Sequence, residues 1–527
     1  MPHVDHLEAE KLAGKKNPTS LPFDPGVPLT RSWKGSILDR FTCHALRQPK
    51  AVAVVSAQAA LTYLELDAAS DALAEQSKKH LGDSQGERIL SVYGDRNARL
   101  TVALLAAIKS GCAFHVIDPK YPLRRIADYL NYLRPAGIFN ASPDSSARVS
   151  LSDFLKTQGS FWLDVPLSPK QTVGRANGDA VVGATTIAAD TPLYIAFTSG
   201  TTGIPKAVWG SHGPVSHFFD WQCRTFNIAV ADRVSVLSGL AHDPLLRDVL
   251  MPLWAGGAAC FPPDDVYRVP GLLYSWLRDV QVTIVHMTPS LCHLLLNIPQ
   301  SELTPSLPQI RLAFFGGEPL TYKLAARFQA LAPNAVVVNC YGATETPQVM
   351  SIHVIESQSA NLASVNANGP LQVPIGRGIE GVQLLVLTGN RLCGVGEMGE
   401  ICVRTPYRAS RVEDINGRTS AYFVPNPFLS DPNDLLYRTG DYGHYLADGA
   451  VVLLGRRDQQ IKVRGFRVDL SEIEFALEKC PGITRSVVDA QPQGDDHALA
   501  LFVVPKQLAG FEVDALRMPK ASFWLES

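Results

Sequence analysis

The chain has 527 residues, with 48 Lys and Arg against 50 Asp and Glu and a net charge of −2. This near-neutral balance leaves no electrostatic footprint for nucleic acid or a membrane surface, and the length exceeds a single core, implying about two to four domains. No apolar run reaches the ~18 residues of a spanning helix, the first residues (MPHVDHLEAEKLAGKK) lack the apolar stretch of a signal peptide, and nine cysteines form no CxxC pair. The expectation is a cytoplasmic protein without a disulfide framework or zinc site.

Residues 1–35, Pro-rich at 18–28, read as a leader or linker. From Ser36 the pattern becomes regular. Leu61–Leu66 begins an amphipathic helix; Arg88–Tyr93 is a strand, Leu100–Ser110 a helix stopped by Gly111, and Ala113–Ile117 a strand. Leu123, Ile126, Leu130 and Leu133 then share one face of a helix ending before Pro135. Such alternation predicts βαβ units and a parallel sheet. Thr172–Asp190 is a Gly/Ala/Thr connector.

The strand Leu193–Phe197 runs into FTSGTTGIPKA, residues 197–207. Gly200 and Gly203 free the backbone to turn its N–H groups around an anion; Thr198, Ser199, Thr201 and Thr202 add hydroxyl donors and Lys206 a point charge. The stretch is a phosphate cradle by composition. It is not a Walker A loop, since Ala207 follows the lysine where Mg²⁺ would need Ser or Thr.

A second series of strands follows at Arg233–Ser238, Ala258–Phe261, Thr283–Met287, Leu312–Phe315 and Ala335–Cys340. Ligands of such sheets sit at the carboxyl ends of strands. Ala241–Asp248, His286–Pro289, Gly316–Glu318 and Tyr341–Thr346 all lie there. Near Gly376 the pattern shifts to short β segments (Gln383–Leu387, Glu400–Arg404, Val451–Leu454), and after Asp458 a helix (Leu470–Lys479) and two strands (Ile483–Val488, Ala498–Val504) predict a small α+β unit.

The phosphate cradle resembles that of the adenylate-forming superfamily: acyl-CoA synthetases, luciferases and the adenylation domains of nonribosomal peptide synthetases. The stretch KSGCAFHVIDPKYPLRRI, residues 109–126, also resembles a motif of peptide-synthetase adenylation domains. Together the resemblance covers residues 36–505. It implies an α/β fold: a large domain (36–457) of two doubly wound αβ subdomains plus a small β-barrel-like subdomain, then a small α+β C-terminal domain (458–527), hinged at Asp458. The implied reaction is attack of a carboxylate on the α-phosphate of ATP, which rests on anion clamps and a divalent metal.

On that basis Thr198 to Gly203, Lys206, Gly317, Glu318, Tyr341, Gly342, Thr344, Asp441 and Arg456 are nucleotide-binding candidates. An aromatic at a strand end can stack on adenine (Tyr341), Thr344 can contact a phosphate, and Glu345 can hold Mg²⁺ with hard oxygen ligands. Asp441, in Tyr437-Arg-Thr-Gly-Asp441, can accept two ribose hydroxyls. Lys462, in Lys462-Val-Arg-Gly-Phe-Arg467, reads by itself as part of a charged, solvated strand. The family brings this loop to the adenylate after a domain rotation, for thioester formation on the phosphopantetheine of a carrier protein. Lys206, Thr344, Glu345 and Lys462 are thus the catalytic candidates, and Ser471 departs from the family's usual glycine.

The stretch Ser238–Asp248 contains HDP followed by Arg-Asp and resembles the adenylation domain of fungal α-aminoadipate reductases. The resemblance makes Asp243 the partner of a substrate α-ammonium, with His242, Pro244, Arg247, His286, Phe314, Gly316, Cys340, Gln348 and Val349 around the substrate. Asp243, Pro244, Arg247, His286 and Phe314 agree with the reductase pattern. Gly316, Cys340 and Gln348 depart from it, the reductases having larger residues at the first two and arginine at the third. A buried Arg247 beside His286 calls for an anion, either a substrate side-chain carboxylate or a protein acid such as Asp248.

The reading is an amino-acid adenylation domain for an acidic substrate, working with a carrier protein and with a reductase or peptide-synthetase module. Two alternatives stand beside it: an acyl- or aryl-CoA ligase, against which Asp243 argues, and a catalytically impaired nucleotide-binding module. The family's lysine in a Leu-Pro…Gly-Lys motif has no counterpart after Val504, and Lys520 sits in no such motif. The small domain is therefore expected to be incomplete, and a longer chain that includes such a lysine to form adenylate faster.

Overall fold

The computed structural model describes residues 23–505 apart from 83–86, 143–150, 168–186, 199–204, 270, 298–305, 356–371, 418–421, 457–459, 464–465, 471–472, 474–476, 478–482 and 494–495. Ser199 to Gly203 of the phosphate cradle, Asp458, most of the Thr172–Asp190 connector, the first part of the leader and Lys520 therefore lie outside the described residues.

Two large sheets and a smaller one build the main body, a mixed α/β fold. In the seven-stranded sheet the order is Arg411–Asp414, Lys206–Ser211, Pro192–Thr198, Ala113–Ile117, Ile89–Tyr93, Gly137–Asn140, Phe161–Asp164. Its middle and far strands are parallel, as βαβ alternation predicts. Pro192–Thr198 and Lys206–Ser211 instead pair antiparallel, with Thr198 opposite Lys206, so the phosphate cradle is the turn of a hairpin. The second strand of that hairpin is absent from the sequence expectations; its residues are all buried, so no alternation marks it.

The nine-stranded sheet has a parallel run in the order Val336–Ala343, Leu312–Gly316, Ile284–Met287, Arg233–Ser235, Ala258–Cys260, Val52–Val55. Val52–Val55 comes from the first part of the chain, and Arg411–Asp414 from the last part joins the seven-stranded sheet. Subdomain and chain order thus do not coincide. A six-stranded antiparallel sheet holds Gln383–Thr388, Gly399–Arg404, Leu435–Tyr445 and Val451–Arg456, the half-barrel that the short β segments predict. Beyond it are two two-stranded ribbons, Gln460–Val463 with Phe466–Asp469 and Ile483–Gln493 with Asp496–Pro505.

Local chemistry explains the helices. Ser36 and Thr62 form capping boxes with Asp39 and Glu65, starting helices Ile37–Arg47 and Tyr63–Leu81. Ala98–Lys109 is capped by Asn97 and buried over nearly its whole length, which suits its Ala- and Leu-rich sequence. Leu123–Leu133 buries Ile126, Leu130 and Leu133, and stops at Arg134, which adopts φ +46° before Pro135.

Candidate active site

Helix Pro244–Ala255 opens the site. Asp243 is its N-cap residue, and Pro244 occupies the first turn, where a missing N–H costs nothing. Asp243 and Arg247 are four residues apart and so lie on one helix face. The Asp243 carboxylate is buried and accepts a hydrogen bond from Thr344 Oγ1 at 2.8 Å, while its backbone carbonyl accepts from Gln348 Nε2 at 3.0 Å. Burial lifts Asp243 above the ordinary carboxylate value, opposed by Thr344 and by the charge of Arg247. His242 lines a cavity of about 20 Å³ with Asp243 and Tyr194, and burial lowers its pKa to about 4.

Arg247 Nε lies 3.7 Å from Asp248 Oδ1, beyond hydrogen-bond range, and Nε has no hydrogen-bond acceptor among the described residues. Its charge acts on Asp243, His286 and Cys340, three of the residues expected around the substrate. His286 stacks on Phe314 with ring centroids 5.0 Å apart, and burial lowers its pKa. The Cys340 thiol is pushed up to about 12 by burial and stays neutral. Val349 is buried and Gly316 faces Cys340, whose carbonyl oxygen a Cβ on Gly316 would meet at 3.1 Å.

The motif at Tyr341 lies on a strand and its turn, not after the strand. Val336–Ala343 turns at Thr344 and Glu345 into antiparallel Thr346–Ile355, with a bulge between Tyr341 and Ala343. At the bulge Gly342 has no room for a side chain: a Cβ would lie 2.2 Å from the carbonyl oxygen of Gln348. Gln348 itself adopts φ +71°, a left-handed conformation uncommon for a residue with a side chain. Its Oε1 is buried with no hydrogen-bond partner among the described residues.

Three separately identified residues meet nearby. Tyr341 donates its hydroxyl to Asp441 Oδ2 at 2.5 Å, and Arg456 Nη1 donates to Asp441 Oδ1 and to the carbonyl of Thr439, each at 2.9 Å. Burial and the Asp441 charge raise Tyr341 well above the ordinary tyrosine value. The half-barrel provides this arrangement by placing Asp441 opposite Arg456 in register.

Other expected residues have protein partners. Lys206 is buried, donates to the Tyr422 hydroxyl, and lies 4.2 Å from that ring's centroid. Glu318 Oε2 accepts from Ser290 N at 2.8 Å and Ser290 Oγ at 2.7 Å, holding the start of helix Pro289–Leu296, while Gly317 turns the chain at φ +87°. Thr198 Oγ1 at the cradle's edge is buried with no hydrogen-bond partner among the described residues. Lys462 lies on the ribbon Gln460–Val463.

Mg²⁺ keeps several waters and takes one or two carboxylates together with phosphate oxygens. Glu345, 2% exposed at the turn beside Thr344, fits that demand. Among the described residues no group of three His, Cys, Asp or Glu could hold an ion unaided. No helix of the described residues is long and apolar enough to cross a membrane.

Sequence reasoning missed Gln222 and Tyr422. Gln222 hydrogen-bonds His286 at 3.1 Å from a helix that carries no motif, and Tyr422 reaches Lys206 across 216 positions. Neither contact leaves a local signal.

Comparison with known proteins identifies the family. Residues 41–411 match the AMP-binding enzyme family. L-2-aminoadipate reductase from Schizosaccharomyces pombe is 31% identical over 93% of this chain, and the chain spans 38% of that protein's length. Tyrocidine synthase 3 from Brevibacillus parabrevis is 32% identical over 88% of this chain and 7% of its own length. The structure of holo-PA1221, an NRPS protein containing adenylation and PCP domains, superposes with a TM-score of 0.74 at 25% identity, over 91% of this chain and 78% of that one. The chain belongs to the AMP-binding enzyme family.

Proposed function

We propose that this chain activates an amino acid with an acidic side chain, 2-aminoadipate or a close relative, and passes it to the phosphopantetheine thiol of a carrier protein. The observation that carries the reading is the pair on the first turn of Pro244–Ala255: a buried carboxylate, Asp243, and a cation, Arg247, whose Nε has no acceptor among the described residues. The α-ammonium pairs with Asp243 and the distal carboxylate with Arg247, a match that a plain acyl substrate lacks. The likeness to L-2-aminoadipate reductases supports this substrate class.

Asp441 receives the ribose hydroxyls, held in place by Tyr341 and Arg456, and Thr198 with the cradle and Lys206 bind phosphates. Glu345 would hold Mg²⁺, which when bound would neutralise phosphate charge. The substrate carboxylate oxygen attacks the α-phosphorus, the bond to the bridging oxygen breaks, and pyrophosphate leaves with that electron pair. In the second step the carrier thiolate attacks the acyl carbon and AMP departs, leaving a thioester. Lys462 belongs to this second step, after residues 458–527 turn about Asp458 relative to residues 36–457. A solved adenylation–PCP protein and the reductase and peptide-synthetase relatives support a carrier, and a reductase or peptide-synthetase module, as partners. The described cysteines, all free thiols, fit a cytoplasmic setting.

The test is ATP–pyrophosphate exchange over a panel of acids. Strongest stimulation by 2-aminoadipate or glutamate is expected. Preference for an apolar or aryl acid without an amine would replace this reading with that of a CoA ligase, and ATP binding without exchange for any acid would leave a nucleotide-binding module.

A further inference from the structure

Helix His212–Thr225 carries Gln222, which meets His286, one of the residues expected around the amino acid. Gln222 is 2% exposed; its Nε2 lies 3.1 Å from His286 Nε2, and its Oε1 has no hydrogen-bond partner among the described residues. An amide nitrogen only donates. His286 Nε2 therefore accepts, and the ring proton sits on Nδ1, 3.2 Å from Asp248 Oδ1 but off the hydrogen-bond axis. Asp248 is fully buried, and its Oδ2 accepts from the backbone N–H groups of Leu237 at 3.1 Å and Ser238 at 2.9 Å.

Charge at this end of the pocket is balanced before any substrate arrives. The charged groups acting on His286 are Asp248 and Arg247, both from helix Pro244–Ala255. The facing strands contribute the Phe314 ring and the neutral Cys340 thiol, and helix His212–Thr225 contributes the uncharged Gln222. Asp243, the other acid of the pocket, is answered by the α-ammonium. A side-chain carboxylate placed beside Arg247 thus joins Asp248 as a second negative charge near one cation. Buried, uncompensated charge is expensive, and a neutral group able to change its protonation changes it instead. Of this set His286 has the ordinary value nearest neutral pH; burial holds it lower in the free protein, and an added negative charge raises it.

We propose that Gln222 is a positioning residue that serves both charge states of His286. In the free protein its Nε2 donates to the neutral ring. When an acidic substrate binds, its amide turns, its Oε1 accepts from the newly protonated Nε2, and one proton is drawn from solvent per substrate bound. The inference rests on the acidic-substrate reading given above.

The experiment is calorimetric titration of the full 527-residue chain with L-2-aminoadipate and, separately, its side-chain amide, in buffers of different ionisation enthalpy, at about pH 7.5, one unit above the ordinary histidine value. Uptake approaching one proton is expected for the acid and none for the amide. Gln222→Met should weaken the acid about tenfold or more while leaving the amide within about twofold, because it removes the acceptor that stabilises the imidazolium. Gln222→Glu should abolish the uptake, since an anion at that point protonates His286 beforehand. Acid binding without proton uptake by the unaltered chain, a result that needs no variant, would overturn the proposal, as would an equal loss for both ligands in Gln222→Met. If the unaltered chain shows no preference for the acid over its amide, the acidic-substrate reading fails first and this inference with it.

Discussion

The Tyr341–Asp441–Arg456 cluster and the pocket around Arg247 share the strand Val336–Ala343, yet their polar groups stand in opposite conditions. In the cluster the Tyr341 hydroxyl and Arg456 Nη1 both reach Asp441, and Arg456 also reaches the Thr439 carbonyl. In the pocket Arg247 Nε, Gln348 Oε1 and Gln222 Oε1 are buried without hydrogen-bond partners among the described residues. A buried polar atom without a partner destabilises the fold unless a ligand supplies one. A completed cluster suits a ligand that is the same in every turnover. An incomplete pocket suits, on the proposed reading, a variable ligand that brings the missing partner.

The sharpest way to break this comparison is Arg247→Ala. An acidic substrate then loses a buried counterion, on the order of 3–5 kcal/mol, so kcat/KM for 2-aminoadipate should fall by a factor of several hundred or more. The side-chain amide should lose far less. An equal fall for both would make Arg247 a structural partner of Asp248 and nothing more.

Asp441→Ala attacks the other region. It strips Tyr341 and Arg456 of their common acceptor, an effect on the order of 3 kcal/mol for a pair this enclosed. ATP affinity should drop for every amino acid alike. A changed rank order of amino acids would mean that the two regions are not separable.

Smaller and paired are Tyr341→Phe and Thr344→Val, each deleting one hydrogen bond to a carboxylate, about 1.5–3 kcal/mol. Tyr341→Phe should act on the KM for ATP. Thr344→Val should act on the KM for the amino acid, because its hydroxyl serves Asp243 at 2.8 Å. If Thr344→Val moves only the ATP term, the hydroxyl belongs to a phosphate, as its motif first suggests.

The mildest probe is pH. Burial lowers His115 to about 3 and His212, His217 and His242 to about 4, all from an ordinary 6.5. The unfolded chain therefore binds more protons than the folded one below that ordinary value, so their contribution to stability is complete above pH 6.5 and is lost as pH falls toward 4. Asp243, lifted by burial, works in the opposite direction as a single group. Thermal unfolding followed across this range should show Tm falling steadily; a flat profile would mean these rings are solvated. His242 and His286 are among the residues proposed to surround the amino acid, whereas the three residues of the Tyr341 cluster include no histidine. ATP, bound at saturation, should therefore shift Tm more uniformly with pH than the amino acid does.

Much of this was legible beforehand because local chemistry determines it. Apolar spacing placed Leu123–Leu133, and apolar runs placed Ala113–Ile117 and Leu312–Phe315; the helix expected from Leu61 starts at Tyr63, after the short strand Ala60–Thr62. The stretch Ser238–Asp248 singled out Asp243 and Arg247 through its resemblance to the reductases, and the structure puts them at the start of one helix. What only the tertiary structure decided is partnership across the chain. Val52–Val55 lies beside Ala258–Cys260, Tyr341 bonds to Asp441 100 positions away, and Gln222 meets His286 64 positions away. Periodicity and capping operate within a few turns, whereas which strand pairs with which, and which buried amide meets which ring, follows from packing whole layers together and leaves no mark in the neighbouring residues.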